Sequence, residues 1–305
     1  MDITVALGGG GVKGNAHSGV LRVLQQEGFH IRALAGTSAG GLWGALYLAG
    51  NSPEEIDMIM ANHDSDTIYA RDDGDGPALL GTAGLREMLQ ERIGRLKFED
   101  LDIPFAVTAV DIETAEAVTI DSGSIYEAVL ATIAVPGIFP PHEINGRMLI
   151  DGGVTNPVPV SVARSYYPDL PVVAVVLAPP ISIWSSPDVS RLLPSIPYLS
   201  SYLAKLRISK AMSIYLRSVE IGSALLTDLH LELESPDVII RPQVPKIGLL
   251  DEVEVDEIVV LGEIAAREAL PELRSAVSWR GKINRRFFGR SYPNSSDKKI
   301  HESRP

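Results

Sequence analysis

Three short clusters hold the residue types that could do covalent chemistry. Ser38 lies inside Gly36-Thr37-Ser38-Ala39-Gly40, Asp151 heads Asp151-Gly152-Gly153, and a glycine-rich run reads Gly9-Gly10-Gly11-Val12-Lys13-Gly14. The serine follows the apolar Ala33-Leu34-Ala35 and precedes an amphipathic stretch from Leu42 to Ala49, so G-x-S-x-G reads as strand, sharp turn and helix. Its glycines let the backbone turn without Cβ clashes, so Ser38 Oγ projects over the sheet edge. The following helix points its N-terminus at any developing negative charge.

Gly9-x-Gly11-x-x-Gly14 falls between a strand and a helix, the setting of a dinucleotide-binding loop. A nucleotide site also asks for an acidic residue ending the second strand, roughly 20 residues on. Here that strand ends in Gly36-Thr37-Ser38, which counts against a dinucleotide-binding enzyme. Acyl transfer can use the same loop, because successive glycine N–H groups ahead of a helix form a nest for an oxyanion.

Ser38 needs a base. The order Ser38, Asp151, His230 fits an α/β-hydrolase triad, but that fold sets several strands before its serine and only 37 residues precede Ser38. His17 and His142 lie nearer the glycine clusters and read more simply as structural or pocket-lining residues. Asp151 ends an apolar strand, and its two glycines permit close approach by another loop. In a parallel sheet the strand C-termini share one edge, where Ser38 and Asp151 would both emerge. An aspartate is a weak base, with an ordinary pKa near ~3.9, and partial burial raises it toward accepting the serine proton. A turn or helix-cap role is the alternative for Asp151. Lys13 reads either as orienting the glycine loop, as drawing an anionic head group, or as a plain solvent-exposed lysine.

These clusters need a scaffold. Ile3–Leu7 is a short apolar strand, with a helix from the glycine loop to about Gly28. Ser52-Pro53-Glu54-Glu55 and Ser124-x-x-Glu127 are capping boxes, each opening a helix, and Thr82 to Ile93 is helical. Pro104–Asp111 and Ala117–Asp121 form a strand pair, Arg147–Ile150 a strand, Pro157–Tyr166 a helix and Val172–Leu177 a buried strand. The alternation across Ile3–Leu177 predicts an α/β fold around a mostly parallel sheet. Ser201–Leu229 is a long helix, Val238–Arg241 a late strand and Asp251–Ala269 a last helix. The polar stretch from Asn62 to Pro77 reads as a solvated loop, because its aspartates lack EF-hand spacing.

Residues 1–177 are expected to form the catalytic core, 178–278 a cap or lid segment plus C-terminal helices, and 279–305 a basic, disordered tail. The proline-punctuated apolar stretch within 178–202 reads equally as a pocket cover, a lipid-dipping segment or a packed connection. The tail carries eight Lys/Arg against two Asp/Glu, and the body 19 against 37. A net charge of −12 argues against a nucleic-acid partner. With no cysteine there is no disulfide framework, thiolate nucleophile or Cys-based zinc site. No signal-peptide pattern and no window of ~18 apolar residues is visible, so a cytoplasmic location is expected. Peripheral membrane contact would fall on 181–199 and 280–290.

The glycine loop with its lysine, the early G-x-S-x-G and the later D-G-G, in that order, closely resemble the patatin-like phospholipase family. Further similarity lies in Ala16-His17-Ser18-Gly19-Val20-Leu21, in Val135–Pro141 and in Asn156-Pro157-Val158-Pro159, so the resemblance spans about Val5–Arg164. It implies a three-layer α/β/α fold with a C-terminal helical extension. It also implies a Ser–Asp dyad without histidine, with Ser38 as nucleophile and Asp151 as proton acceptor. By the same match Gly9, Gly10 and Gly11 fall at the oxyanion loop, while Lys13, Gly14, Gly36, Gly40, Gly152 and Gly153 support the motifs. The implied function is a serine esterase acting on phospholipids or other acyl esters, of phospholipase A or lysophospholipase type, with no metal and no cofactor. A low-turnover regulatory protein that binds lipid or protein on the same fold is the alternative. In plant members an aspartate precedes the glycine loop, and here Gly8 stands in its place.

Overall fold

The computed structural model describes residues 1–62, 65–72, 76, 78–183, 200–244, 247–249, 251, 253–279 and 281. Ile3, Val5 and Leu7 face one side of strand β1 (Asp2–Leu7) and Ala6 the other, and all are buried. A strand apolar on both faces belongs between two layers of helices. The glycine loop then leads into α1 (Asn15–Gln26), followed by β2 (His30–Thr37), α2 (Ala39–Leu48) and α3 (Pro53–Ala61). Next come the one-turn α4 (Ser65–Ile68), α5 (Ala83–Arg92), β3 (Phe105–Asp111), β4 (Ala117–Ile120) and α6 (Ile125–Thr132). The chain continues through β5 (His142–Ile144), β6 (Arg147–Asp151), α7 (Val160–Tyr166) and β7 (Val172–Val175). It closes with α8 (Ser200–Glu234), β8 (Val238–Ile240), α9 (Val255–Glu268) and α10 (Leu270–Val277).

The strands form one eight-stranded sheet in the order β5-β6-β3-β2-β1-β7-β8, with β4 also paired to β3. Pairs β2–β3, β1–β2, β1–β7 and β7–β8 are parallel, while β4 and β6 both run antiparallel to β3 and β5 runs antiparallel to β6. One face packs against α1, α2, α3, α5, α6, α9 and α10 in a core that includes Leu24, Leu46, Ile56, Leu89, Phe105 and Leu273. On the other face, Ala6, Ala35 and Ala174 meet Val160 and Ala163 of α7 and Leu231 of α8. The result is a mixed α/β fold whose central sheet is flanked by helices on both sides.

Some local expectations hold and others need correction. The box at Ser52 forms on both sides, Glu55 N–H to Ser52 Oγ at 3.2 Å and Ser52 N–H to Glu55 Oε2 at 2.7 Å. At Ser124 only the serine half forms, because the Glu127 carboxylate turns to His142 Nε2 at 2.5 Å instead. Strand β5 and helix α10 are not among the elements expected from the pattern, and α9 starts at Val255, four residues later than expected. Arg22 of α1 ties α3 to α9 through Glu54 and Glu263, each at 2.6 Å, and through Asp57. This fastens the late helix α9 beside the first turn of the fold. The expected cover at 184–199, Asp64, Asp73 and Asp75 of the polar loop, and the tail beyond 281 lie outside the described residues. No described helix is long and apolar enough to cross a membrane.

Candidate active site

Strand β2 delivers Ser38 at its C-terminal end. Ser38 has φ 54° and ψ −124°, a left-handed conformation that non-glycine residues adopt only when their surroundings enforce it. Two features enforce it. The elbow is packed so closely that a Cβ on Gly40 would lie 2.1 Å from the Leu7 carbonyl oxygen and one on Gly36 2.5 Å from that of Gly40. Ser38 N–H also donates to Thr132 Oγ1 at 2.9 Å, and Thr132 Oγ1–H donates to the Thr108 carbonyl at 2.7 Å. The Ser38 carbonyl starts α2 by accepting from Gly41 and Leu42.

Asp151 arrives differently from the parallel arrangement expected. It ends β6, which runs antiparallel to β3, so the two side chains do not emerge from a common row of parallel strand ends. Register brings them together instead. Thr37 pairs with Thr108 and Asp151 pairs with Ala109, the next residue along β3. Gly152 is required at this junction, since a Cβ there would lie 2.2 Å from Thr108 Oγ1. Ser38 and Asp151 line the same cavity, both nearly fully buried.

The electrostatics suit proton transfer between them. Burial pushes the Asp151 carboxyl up to about 6, while hydrogen bonds from the Ser38 hydroxyl and the Gly153 N–H pull the other way. The Gly153 bond is 2.7 Å long and fixes Oδ1. Among the described residues, no histidine is in place to serve as base. His17 is fully buried with Nε2 2.8 Å from the Gly8 carbonyl, His142 pairs with Glu127, and His230 pairs with Glu234 at 3.0 Å. Burial holds the His17 imidazole at about 4, so it is neutral near pH 7 and donates Nε2–H to Gly8.

The glycine loop divides its amides. Gly9 N–H donates to the Pro157 carbonyl at 3.0 Å, so it is not the free oxyanion donor expected. Its lack of a side chain matters more, because a Cβ would sit 3.1 Å from that of Ser38. Among the described residues, the N–H groups of Gly10 and Gly11 have no hydrogen-bond partner. Gly11 has φ 58° and lies under the Leu249 carbonyl, which also accepts from Val12 N–H at 3.1 Å. Gly14 packs on the Trp43 ring. Lys13 is not solvent-exposed. It is 7% accessible, its Nζ lies 3.9 Å from Glu220 of α8, and burial lowers its pKa against the opposing pull of Glu220 and Asp251.

Two cavities meet at Ser38. A larger one of about 390 Å³ runs between α2, α5 and the 133–139 segment, lined by Leu42, Met60, Tyr69, Leu85, Ile138 and Phe139 among others. A smaller one of about 80 Å³ holds Asp151, Gly10, Lys13 and Glu220. Sequence reasoning missed Thr132, Thr108, Leu249 and the α8 residues Val219 and Glu220. Only Thr132 carried a nearby signal, lying just ahead of the distinctive Val135–Pro141.

A family model for patatin-like phospholipase matches residues 5–164. An uncharacterised NTE family protein of Mycobacterium tuberculosis (strain ATCC 25618 / H37Rv) is 30% identical over 171 residues, covering 56% of this chain and 48% of that protein. A second from the same species (strain CDC 1551 / Oshkosh) is 30% identical over 278 residues, 87% of this chain and 46% of the other. Lysophospholipase NTE1 of Mycosarcoma maydis is 30% identical over 172 residues, 53% of this chain and 9% of its own length. The chain therefore spans about half the length of the first two and a small part of the third. The crystal structure of VipD from Legionella pneumophila shares the fold, with a TM-score of 0.51 and 13% identity over 90% of this chain and 67% of that one. With all three glycine-containing clusters inside the matched residues, which make up more than half of its length, the chain belongs to the patatin-like phospholipase family.

Proposed function

We propose that this protein is a serine esterase that hydrolyses acyl esters of lipids through a Ser38–Asp151 dyad. The observation that carries this reading is a buried carboxylate, raised to about 6, sharing a cavity with a serine held in a strained elbow. Asp151 accepts the Ser38 proton as Oγ attacks the ester carbonyl, and the Gly10 and Gly11 amides hold the tetrahedral oxyanion. The alcohol or lysophospholipid leaves through the smaller cavity, with its proton supplied by Asp151. Water activated by the same carboxylate then releases the fatty acid from Ser38.

The larger cavity suits an acyl chain, because apolar side chains dominate its walls and its volume lies within the range of small-molecule pockets. A low-turnover lipid-binding role has no specific observation in its favour. The test is fatty-acid release from lysophospholipids, diacyl phospholipids and p-nitrophenyl acyl esters by the wild type, Ser38→Ala and Asp151→Asn. Turnover on at least one class, lost in both variants, is expected. A wild type inert on all of them, or a Ser38→Ala variant as active as the wild type, would overturn the assignment.

A further inference from the structure

Both members of the dyad are tied to one short piece of chain. Thr132, the last residue of α6, accepts the Ser38 N–H on Oγ1 at 2.9 Å, and two residues later the Ala134 carbonyl accepts the Asp151 N–H at 3.0 Å. Ser38 and Asp151 otherwise come from different strands, 113 positions apart in sequence, as their numbers show. The Thr132 hydroxyl has a single proton, and that proton goes to the Thr108 carbonyl at 2.7 Å. Its lone pairs are therefore turned to Ser38, and the direction of both bonds is fixed.

We propose that the end of α6 is the bracket that sets the dyad, with Thr132 as a positioning residue that holds Ser38 in its strained conformation through the hydroxyl oxygen. This rests on the Ser38–Asp151 reading above. The physical reason is satisfaction of a buried donor. Ser38 N–H is buried, and without Thr132 Oγ1 it has no acceptor in its present orientation. The elbow would then rotate toward an ordinary backbone conformation to find one, carrying Oγ away from Asp151. Neighbouring contacts leave the hydroxyl little choice of rotamer. Thr132 is fully buried, and its Cγ2 packs against Gly41, where a Cβ would come within 2.7 Å. A second threonine pair braces the base of the bracket, with Thr37 Oγ1 and Thr108 Oγ1 2.6 Å apart.

The bracket separates hydroxyl from shape, so the decisive substitutions are Thr132→Val and Thr132→Ser. Val keeps the volume and loses the acceptor, whereas Ser keeps the acceptor and loses the methyl. Labelling by a fluorophosphonate probe and turnover of a p-nitrophenyl ester are measured across pH, with circular dichroism and melting temperature as controls. Thr132→Val is expected to lower kcat and the labelling rate on the order of 100-fold, as for an ångström-scale misplacement of a reacting atom, with KM little changed. The acid limb of its pH profile should move upward, since the Ser38 hydroxyl no longer favours the ionised Asp151. Thr132→Ser should retain most of the wild-type rate and the wild-type limb.

A folded Val variant with wild-type rate and limb overturns the bracket, as does a Ser variant that falls as far as Val. Should Thr132→Val fail to fold, the Ser variant decides alone. Wild-type turnover and limb sustain the proposal, and loss of turnover in folded protein overturns it. A wild type that the probe does not label at all overturns the dyad reading itself, a separate outcome from a labelled wild type with unresponsive Thr132 variants.

Discussion

The two cavities that meet at Ser38 differ in chemistry, and the proposed esterase would divide its labour between them. The larger is walled by Leu42, Trp43, Met60, Leu85, Ile138 and Phe139, with polar groups confined to a few positions such as Asn15 and Asp251. Apolar walls of this kind hold a chain by removing it from water, which is non-directional and tolerant of chain identity. The smaller packs the Asp151 carboxyl, the Lys13 amine and the Gly10 amide around the same serine, where burial strengthens each electrostatic interaction. Tolerance on one side and strict geometry on the other make the expected effects of substitution very different.

The largest effects fall on the polar side. Ser38→Ala and Asp151→Asn should each lower turnover about 10⁴-fold or more, measured as fatty-acid release, and the double variant should lose little further because the pair acts as a unit. Additive losses would separate the two residues. Gly9→Ala comes next. Its new methyl would press on the Ser38 Cβ, and turnover should fall on the order of 100-fold while the protein keeps its fold by circular dichroism. Unchanged turnover would show that the elbow has room to spare.

Substitution on the apolar side should act through length instead. Met60→Trp adds bulk to a partly buried wall of the larger cavity. It should reduce kcat/KM for long-chain p-nitrophenyl esters about 10-fold relative to short-chain ones, the scale of a few methylenes in a hydrophobic pocket. Equal losses at all lengths would move the acyl chain elsewhere. The remaining effect is thermodynamic. Asp151 has a folded pKa raised by burial to about 6, so the native state binds its proton more tightly than the unfolded chain. Its favourable contribution is complete below the unfolded value near ~3.9 and is lost as pH rises through about 6. Asp151→Asn should therefore be more stable than the wild type at pH 8 by on the order of 3 kcal/mol, with the gap closing near pH 4, as read by denaturant melts.

The polar side is also the more legible in sequence. Ser38, Asp151 and the glycines announce themselves, because strained turns and close backbone approach admit few residue types. What the sequence hides is who holds them. Thr132 lies 94 positions from Ser38, and an interior threonine in an apolar helix gives no sign that its hydroxyl reaches a distant amide. The assignment of amides is equally silent, since Gly9, Gly10 and Gly11 look alike until Pro157 is seen to occupy the first. The burial of Lys13 is hidden too, because its partner, Glu220, comes from a helix more than 200 residues later. Alternating strands and helices make the α/β fold readable, but not the antiparallel β6, since a five-residue strand with three apolar residues at its centre carries no direction. Asp151 reaches its expected neighbour by a different route.

The most direct test is the pH dependence of Ser38 labelling by a fluorophosphonate, followed in the wild type and in Asp151→Asn. A dyad without histidine gives a labelling rate that rises through a single ionisation near pH 6, and labelling that is all but lost in Asp151→Asn at every pH. Labelling that survives in Asp151→Asn with the same pH profile would contradict the assignment of Asp151 as the base.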